Sequence, residues 1–125
     1  MAYLQYTHVF GDGILKFLPL RKNPQFKEVY NKGKSYATKN LVLYILENGE
    51  DYNYLGVSIS KKVGKSNLRN LIKRRIKNCF NILSDKVEKG HNLVFIVRPR
   101  AKDSSYADIH RDMVYLFKKM KLWIG

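Results

Sequence analysis

Residues 61–80 read KKVGKSNLRNLIKRRIKNCF, and this stretch predicts the helix on which the fold depends. Ser66 is a suitable N-cap, and apolar side chains then recur at helical spacing as far as about Leu83. One side of this helix carries the apolar residues Leu68, Ile72, Ile76, Cys79, Phe80 and Leu83. We expect that side to face a β-sheet.

The other side of the predicted helix is crowded with positive charge. Eight Lys and Arg residues lie between Lys61 and Lys77, and no carboxylate occurs between Asp51 and Asp85. At about 100° per residue, the side chains that point away from the apolar side are those of Lys73, Arg74 and Lys77, with Asn70 and Asn81 among them. Arg75 falls inside the apolar arc, so it must run along the sheet edge or find a buried partner.

The charge of the whole chain repeats this local excess. The sequence contains 24 Lys and Arg against 10 Asp and Glu, a formal net charge of +14. Such charges can simply keep a small domain soluble, but unbalanced like charges also repel one another and destabilise the fold. We therefore expect a polyanionic partner. Nucleic acid is favoured over a membrane surface, because neither a long apolar span nor a targeting pattern is apparent in the sequence.

Length and composition predict one domain with one core. The chain has 125 residues, of which 45% are hydrophobic. We assign residues 14–125 to this domain and residues 1–13 to an N-terminal extension. Cys79 has no disulfide partner, and no Cys/His cluster has zinc-ligand spacing. We expect a reducing, cytoplasmic setting and no metal site in the protein itself.

Upstream of the basic helix, the sequence predicts one helix and three strands. Asn23 can cap the helix, Pro24 fits its first turn, and Gly33 can end it, with Phe26, Val29 and Tyr30 on one face. Strands are expected over residues 34–38, 41–47 and 54–59, and the short links between them indicate an antiparallel meander.

Downstream, a buried strand over residues 93–97 is stopped near Pro99. A last helix follows, capped by Asp103 or Ser104. Its apolar positions recur at helical spacing and should cover the remaining apolar surface of the sheet; they are Ile109, Met113, Leu116, Phe117 and Met120.

A second set of residues interleaves aromatic rings with lysines. The rings are Phe26, Tyr30, Tyr36 and Tyr44, and the lysines are Lys22, Lys27, Lys34 and Lys39. Bases of single-stranded RNA stack on such rings while ammonium groups follow the phosphates. Taken alone, the same spacing is also compatible with core packing.

The order of these features resembles the protein component of bacterial ribonuclease P, from about residue 14 to residue 121. The matching segments are LRKNPQFKEVYNKGKS, LVLY, LGVSISKKVGK, LRNLIKRRIKNCF and VFIVRPRA. Arg69 and Asn70 match the first two members of the family's Arg-Asn-Arg triplet, and the third position is Leu71. Either Arg74 or Arg75 supplies the charge that Leu71 lacks, or the local RNA contact differs from that of the family.

The resemblance implies an α+β two-layer sandwich. Its four-stranded sheet has the order helix-strand-strand-strand-helix-strand-helix, with a left-handed crossover at the basic helix. Most such crossovers are right-handed, so this hand comes from the resemblance alone.

The resemblance also implies a partner for each surface. The catalytic RNA, ribonuclease P RNA, would contact Lys61, Lys62, Lys65, Arg69, Asn70, Lys73, Arg74 and Arg75. The 5′ leader of precursor tRNA would contact Lys22, Phe26, Tyr30, Ser35 and Tyr44. The RNA subunit would carry the chemistry with magnesium ions bound mainly by that RNA, and the protein would hold no catalytic residue.

Three other classes of protein are alternatives. A ribosomal or other structured-RNA-binding protein would also place a basic helix on a sheet. A DNA-binding protein with a recognition helix is disfavoured because strands flank the basic helix on both sides. An independent metal nuclease is disfavoured because the acids do not converge and the histidines, His8, His91 and His110, are scattered.

Overall fold

The computed structural model describes the backbone of residues 9–10 and 13–14 and the whole of residues 16–125. In chain order the strands are β1 (Val9–Phe10), β2 (Gly13–Ile14), β3 (Leu18–Pro19), β4 (Lys34–Ala37), β5 (Leu41–Glu47), β6 (Tyr54–Ile59) and β7 (His91–Val97). The helices are α1 (Asn23–Lys32), α2 (Ser66–Leu83) and α3 (Tyr106–Lys119). Most of the predicted N-terminal extension lies outside the described residues, and the division at residue 14 stays a prediction.

The predicted α+β class is confirmed, but the predicted strand count is wrong. The main sheet has five strands in the order β3-β6-β7-β5-β4. The additional strand, β3, is only two residues long and pairs in parallel with the start of β6. A strand this short has no hydrophobic period that sequence analysis could detect.

The predicted antiparallel meander is also wrong, because β7 lies between β5 and β6. It pairs antiparallel with β5 and parallel with β6. Leu93, Val94 and Phe95 are all fully buried, as expected for a central strand with both faces covered. The chain therefore leaves β6, passes through α2 and returns beside β6; the left hand of this crossover stays a prediction.

Helices cover both faces of the sheet, which gives three layers where two were predicted. Leu41, Leu43 and Ile45 of β5 face the main core with α2 and α3. The alternate residues Tyr44 and Leu46 pack on the other face, in the cluster formed with α1. The predicted apolar side of α2 is confirmed, since every member except the half-buried Leu68 is buried.

The predicted N-caps are wrong by one or two residues. α1 is capped at Lys22, because the Gln25 side chain accepts a hydrogen bond from the Lys22 amide, 3.1 Å away. α2 has Lys65 at its N-cap, with Ser66 as its first residue. α3 is capped by Ser105 rather than by Asp103 or Ser104.

The α3 cap has a clear chemical origin. The Ser105 hydroxyl accepts from the Asp108 amide and the Asp108 carboxylate accepts from the Ser105 amide, a reciprocal capping box. The Ser104 hydroxyl instead donates to the Ala101 carbonyl.

A buried polar network ties α3 to the turn between β4 and β5. One Asp112 carboxylate oxygen accepts hydrogen bonds from the Thr38 hydroxyl and from the Asn40 amide, each at 3.0 Å. Asn40 is only 4% exposed, so water cannot readily replace this partner.

We predict that Asp112→Ala lowers the free energy of unfolding by about 1–3 kcal/mol, because the buried Asn40 amide loses its acceptor. Urea unfolding at neutral pH measures the change. The control is Asp51→Ala, the same substitution at an exposed turn position, for which we expect a change within about 0.5 kcal/mol. Equal effects of the two substitutions would contradict the role given to this network.

Candidate nucleic-acid interface

The predicted phosphate-binding surface consists of α2 and the loop before it. Lys61 and Lys62 are exposed in a 3-10 turn that the fully buried Val63 anchors to the core. Lys65, Asn70 and Arg74 are exposed as well, and Arg69, Lys73 and Arg75 are half-buried. The structure thus places all eight predicted residues along one continuous segment.

Two of these arginines are held by backbone carbonyl groups. Arg69 Nε donates to the Gly64 carbonyl at 3.1 Å, which fixes the guanidinium beside the loop. Gly64 has φ +155°, a backbone conformation that residues with a side chain rarely adopt, so glycine is favoured in this loop. Arg75 donates to the Ser104 carbonyl at 3.0 Å, so of the two alternatives that its position in the apolar arc left open, a partner within the fold is the one observed.

Leu71 is exposed at the position where the resemblance predicts arginine. Arg74 lies three residues later on the same side of the helix and is exposed too. Since Arg75 is bound to Ser104, Arg74 is the better placed of the two to supply the missing charge.

A cleft opens where β3 ends. β3 pairs only with Tyr54 and Leu55, so the rest of β6 forms an open sheet edge. α1 and α2, on opposite faces of the sheet, both reach this edge. The outer part of the cleft has a volume of about 480 Å³ and is lined by Asn23, Phe26, Lys27, Tyr30, Val57, Ser58, Ile59, Arg69, Asn70 and Lys73.

The inner part of the cleft, about 290 Å³, continues along β6 towards β3 and is lined in part by Arg21, Phe26, Lys73 and Lys77. Gly56 lies in its wall. A Cβ at Gly56 would lie 2.5 Å from the Phe26 ring, so the ring can approach β6 only because residue 56 has no side chain. The two predicted surfaces therefore meet in this cleft, the leader surface through Phe26 and Tyr30 and the catalytic-RNA surface through Arg69, Asn70 and Lys73.

Three predicted aromatic residues form a ladder on the α1 face of the sheet. The ring centroids of Phe26 and Tyr30 are 6.3 Å apart, and those of Tyr30 and Tyr44 are 5.1 Å apart. Ser35 is the β4 partner of Tyr44 and is exposed. Lys22 lies at the N-cap of α1 and is not among the residues that line the cleft.

The remaining ring of the predicted aromatic set, Tyr36, is not part of this ladder. Tyr36 pairs with Leu43, which faces the α2/α3 core, so its side chain lies on the face opposite Tyr44. The register of β4 against β5, which decides the face on which each ring lies, is not visible in the sequence.

The cleft is electropositive before any ligand binds. Partial burial lowers the pKa of Lys77, and the positive charges of Lys73 and Arg21 lower it further. A bound phosphate would relieve this repulsion. Lys27, one of the lysines expected to follow phosphates, lines the cleft, whereas Arg21, Asn23 and Ser58 were not predicted as cleft residues, since only the open edge of β6 brings them together.

One residue of the predicted donor row has another role. Asn81 is half-buried, and its side-chain oxygen accepts a hydrogen bond of 2.7 Å from the Lys16 amide. It therefore fastens the segment before β3 to α2.

Within the described part of the chain, no three His, Cys, Asp or Glu side chains are arranged to hold a metal ion. None of the described helices combines the length and apolar character needed to cross a membrane.

Comparisons with known proteins agree with the resemblance. The family model described as Ribonuclease P matches residues 15–121. The ribonuclease P protein component of Alkaliphilus oremlandii is 44% identical over 103 residues, which cover 82% of this chain and 90% of that protein. The structure of the Staphylococcus aureus RNase P protein superimposes with a TM-score of 0.79 at 33% identity, covering 86% of this chain and 99% of that one. The RNase P protein from Thermotoga maritima has a TM-score of 0.75 at 27% identity, covering 81% and 96% of the two chains.

We predict that Arg75→Ala lowers the free energy of unfolding by about 1–3 kcal/mol, since the buried Ser104 carbonyl loses a charged donor. Arg74→Ala removes the same charge from an exposed position and should change stability by less than about 0.5 kcal/mol. Urea unfolding of both variants measures the difference. If both lose equal stability, the Arg75 contact does not hold α2 to the segment before α3.

Proposed function

Because the chain belongs to the ribonuclease P protein family, we propose that it binds the catalytic RNA and the 5′ leader of precursor tRNA and thereby supports endonucleolytic removal of the leader in the cytoplasm. The ribonuclease P holoenzyme is an endoribonuclease. The observation that carries the proposal is the shared cleft, in which the aromatic wall of α1 and the basic wall of α2 meet at the open edge of β6.

Charge and exposure support catalytic-RNA binding by the loop and α2. Lys61, Lys62 and Lys65 extend this surface beyond the helix, where they can follow a phosphate backbone. Arg69 is oriented by the Gly64 carbonyl, which reduces the conformational entropy lost when it binds a phosphate. Arg75 contributes mainly by holding α2 in place.

The aromatic ladder supports leader binding. Phe26 and Tyr30 line the cleft, and their rings can stack with unpaired bases of any identity. Lys27 of α1 and Lys73 of α2 both line the cleft, so both can contact the phosphates of a strand bound in it. Tyr44 and Ser35 continue this path across the sheet.

The proposal assigns the chemistry to the RNA subunit and to magnesium ions bound mainly by that RNA. The protein would act by positioning the leader and by screening repulsion between two RNAs. Its effect should therefore be largest at low magnesium and low salt, where this repulsion is strongest.

The direct test is to mix the protein with a bacterial ribonuclease P RNA at low magnesium and to map cleavage of a precursor tRNA. Stimulated cutting at the mature 5′ end, absent with protein alone, is the expected result. Tight RNA binding without stimulation would reject the proposal in favour of a structured-RNA-binding protein with another target.

We predict that the double variant Phe26→Ala and Tyr30→Ala weakens holoenzyme binding of a precursor with a leader by about 1–3 kcal/mol per lost stack. Binding of mature tRNA, which has no leader, should be unchanged. Tyr30→Phe retains the ring and is the matched control.

Affinities for the two RNAs should be measured together with the unfolding free energy of each variant, because both rings also pack against the α1 core. An equal loss of affinity for precursor and mature tRNA would contradict leader binding by these rings.

A further inference from the structure

We propose that Tyr36 and Tyr115, with Lys119, form a second stacking site for the leader, on the far side of edge strand β4 from the cleft. This site would take unpaired bases of the leader beyond those in the cleft. The inference rests on the proposed function, because it extends the same RNA strand across the sheet.

The two tyrosines form an exposed pair between β4 and α3. Their ring centroids are 6.3 Å apart and the ring planes are inclined by 53°. Tyr36 is 43% exposed and Tyr115 is 45% exposed. The Lys119 ammonium lies 5.7 Å from the Tyr115 ring centroid. Rings that served only the core would be covered, whereas these leave a large part of their surface open to a ligand.

The surroundings favour a nucleic acid over a protein partner. Lys118 and Lys119 follow Tyr115 by about one turn of α3, whereas Lys121 and Lys34 line a pocket together with Glu47 and Glu88. Lys34 lies two residues before Tyr36 and on the same face of β4. Lysine is depleted from the centres of protein interfaces, but a ring flanked by lysines is suited to a base and its phosphates.

The site is continuous with the aromatic ladder. Tyr44 of β5 is paired with Ser35 of β4, and the next residue, Tyr36, projects to the opposite face. All four residues of β4 are exposed, and β4 is the last strand of the sheet. A strand of RNA that leaves Tyr44 therefore needs to cross only β4 to reach Tyr36 and Tyr115.

The experiment compares leader lengths in the reconstituted holoenzyme. The short leader is the shortest one for which Phe26→Ala still weakens binding, and the long leader adds unstructured nucleotides to its 5′ end. The wild-type holoenzyme should bind the long-leader precursor more tightly. Tyr36→Ala with Tyr115→Ala should remove this gain, about fivefold or more for one lost stack, without weakening binding of the short leader.

Two further variants separate stacking from folding. Tyr36→Phe with Tyr115→Phe retains both rings and should keep the gain from the long leader. Lys119→Ala leaves the rings in place and should reduce the gain and its salt dependence. Thermal unfolding of each free protein identifies any loss that arises from instability.

The inference is overturned if the double alanine variant retains the full gain, or if it weakens both precursors equally. A loss of affinity for the catalytic RNA alone would also overturn it, because the site would then serve the other RNA. Failure of the proposed function is seen separately, as absence of stimulated cleavage by the wild-type protein with either leader.

Discussion

The fold depends on burial of the apolar side of α2 while its other side carries unbalanced positive charge. Five side chains of α2 are buried: Ile72, Ile76, Cys79, Phe80 and Leu83. Their burial contributes at most roughly 8–15 kcal/mol. Repulsion between like charges one turn apart, such as Arg69 with Lys73, costs about 0.2–0.5 kcal/mol per pair. Burial therefore outweighs repulsion, and the helix can present a cationic surface in the absence of RNA.

The position of α2 explains why two surfaces meet. The crossover from β6 through α2 to β7 places the helix beside the strand whose outer edge β3 leaves uncovered after Leu55. α1 reaches the same edge from the opposite face, where Gly56 lets the Phe26 ring approach the sheet. The shortness of β3 and the absence of a side chain at Gly56 thus create a cleft with one aromatic wall and one basic wall.

Local features of this fold were predictable and long-range ones were not. The bounds of α2, β5 and β6 follow from periodicity, and the angle of Arg75 on the helix limited it to two alternatives, a path along the sheet edge or a buried partner. Its identity, Ser104, is 29 residues away and was not visible in the sequence. The insertion of β7 between β5 and β6 depends on pairing between distant strands. Tyr36 was grouped with Tyr44 because a strand register, which decides the face of every side chain, is a tertiary property.

The central claim is that leader and catalytic RNA meet at the α1–β6–α2 cleft, and site-directed cross-linking tests it most directly. Burial raises the pKa of the Cys79 thiol to about 11, so a cysteine introduced at the exposed cleft residue Lys27 can be labelled selectively. A photoreactive group on Lys27→Cys in the holoenzyme should cross-link to the precursor leader and to the catalytic RNA. The same group on Asp51→Cys, in the exposed turn before β6, should cross-link to neither. Cross-links from position 51 but not from position 27 would place the RNAs elsewhere and contradict the account.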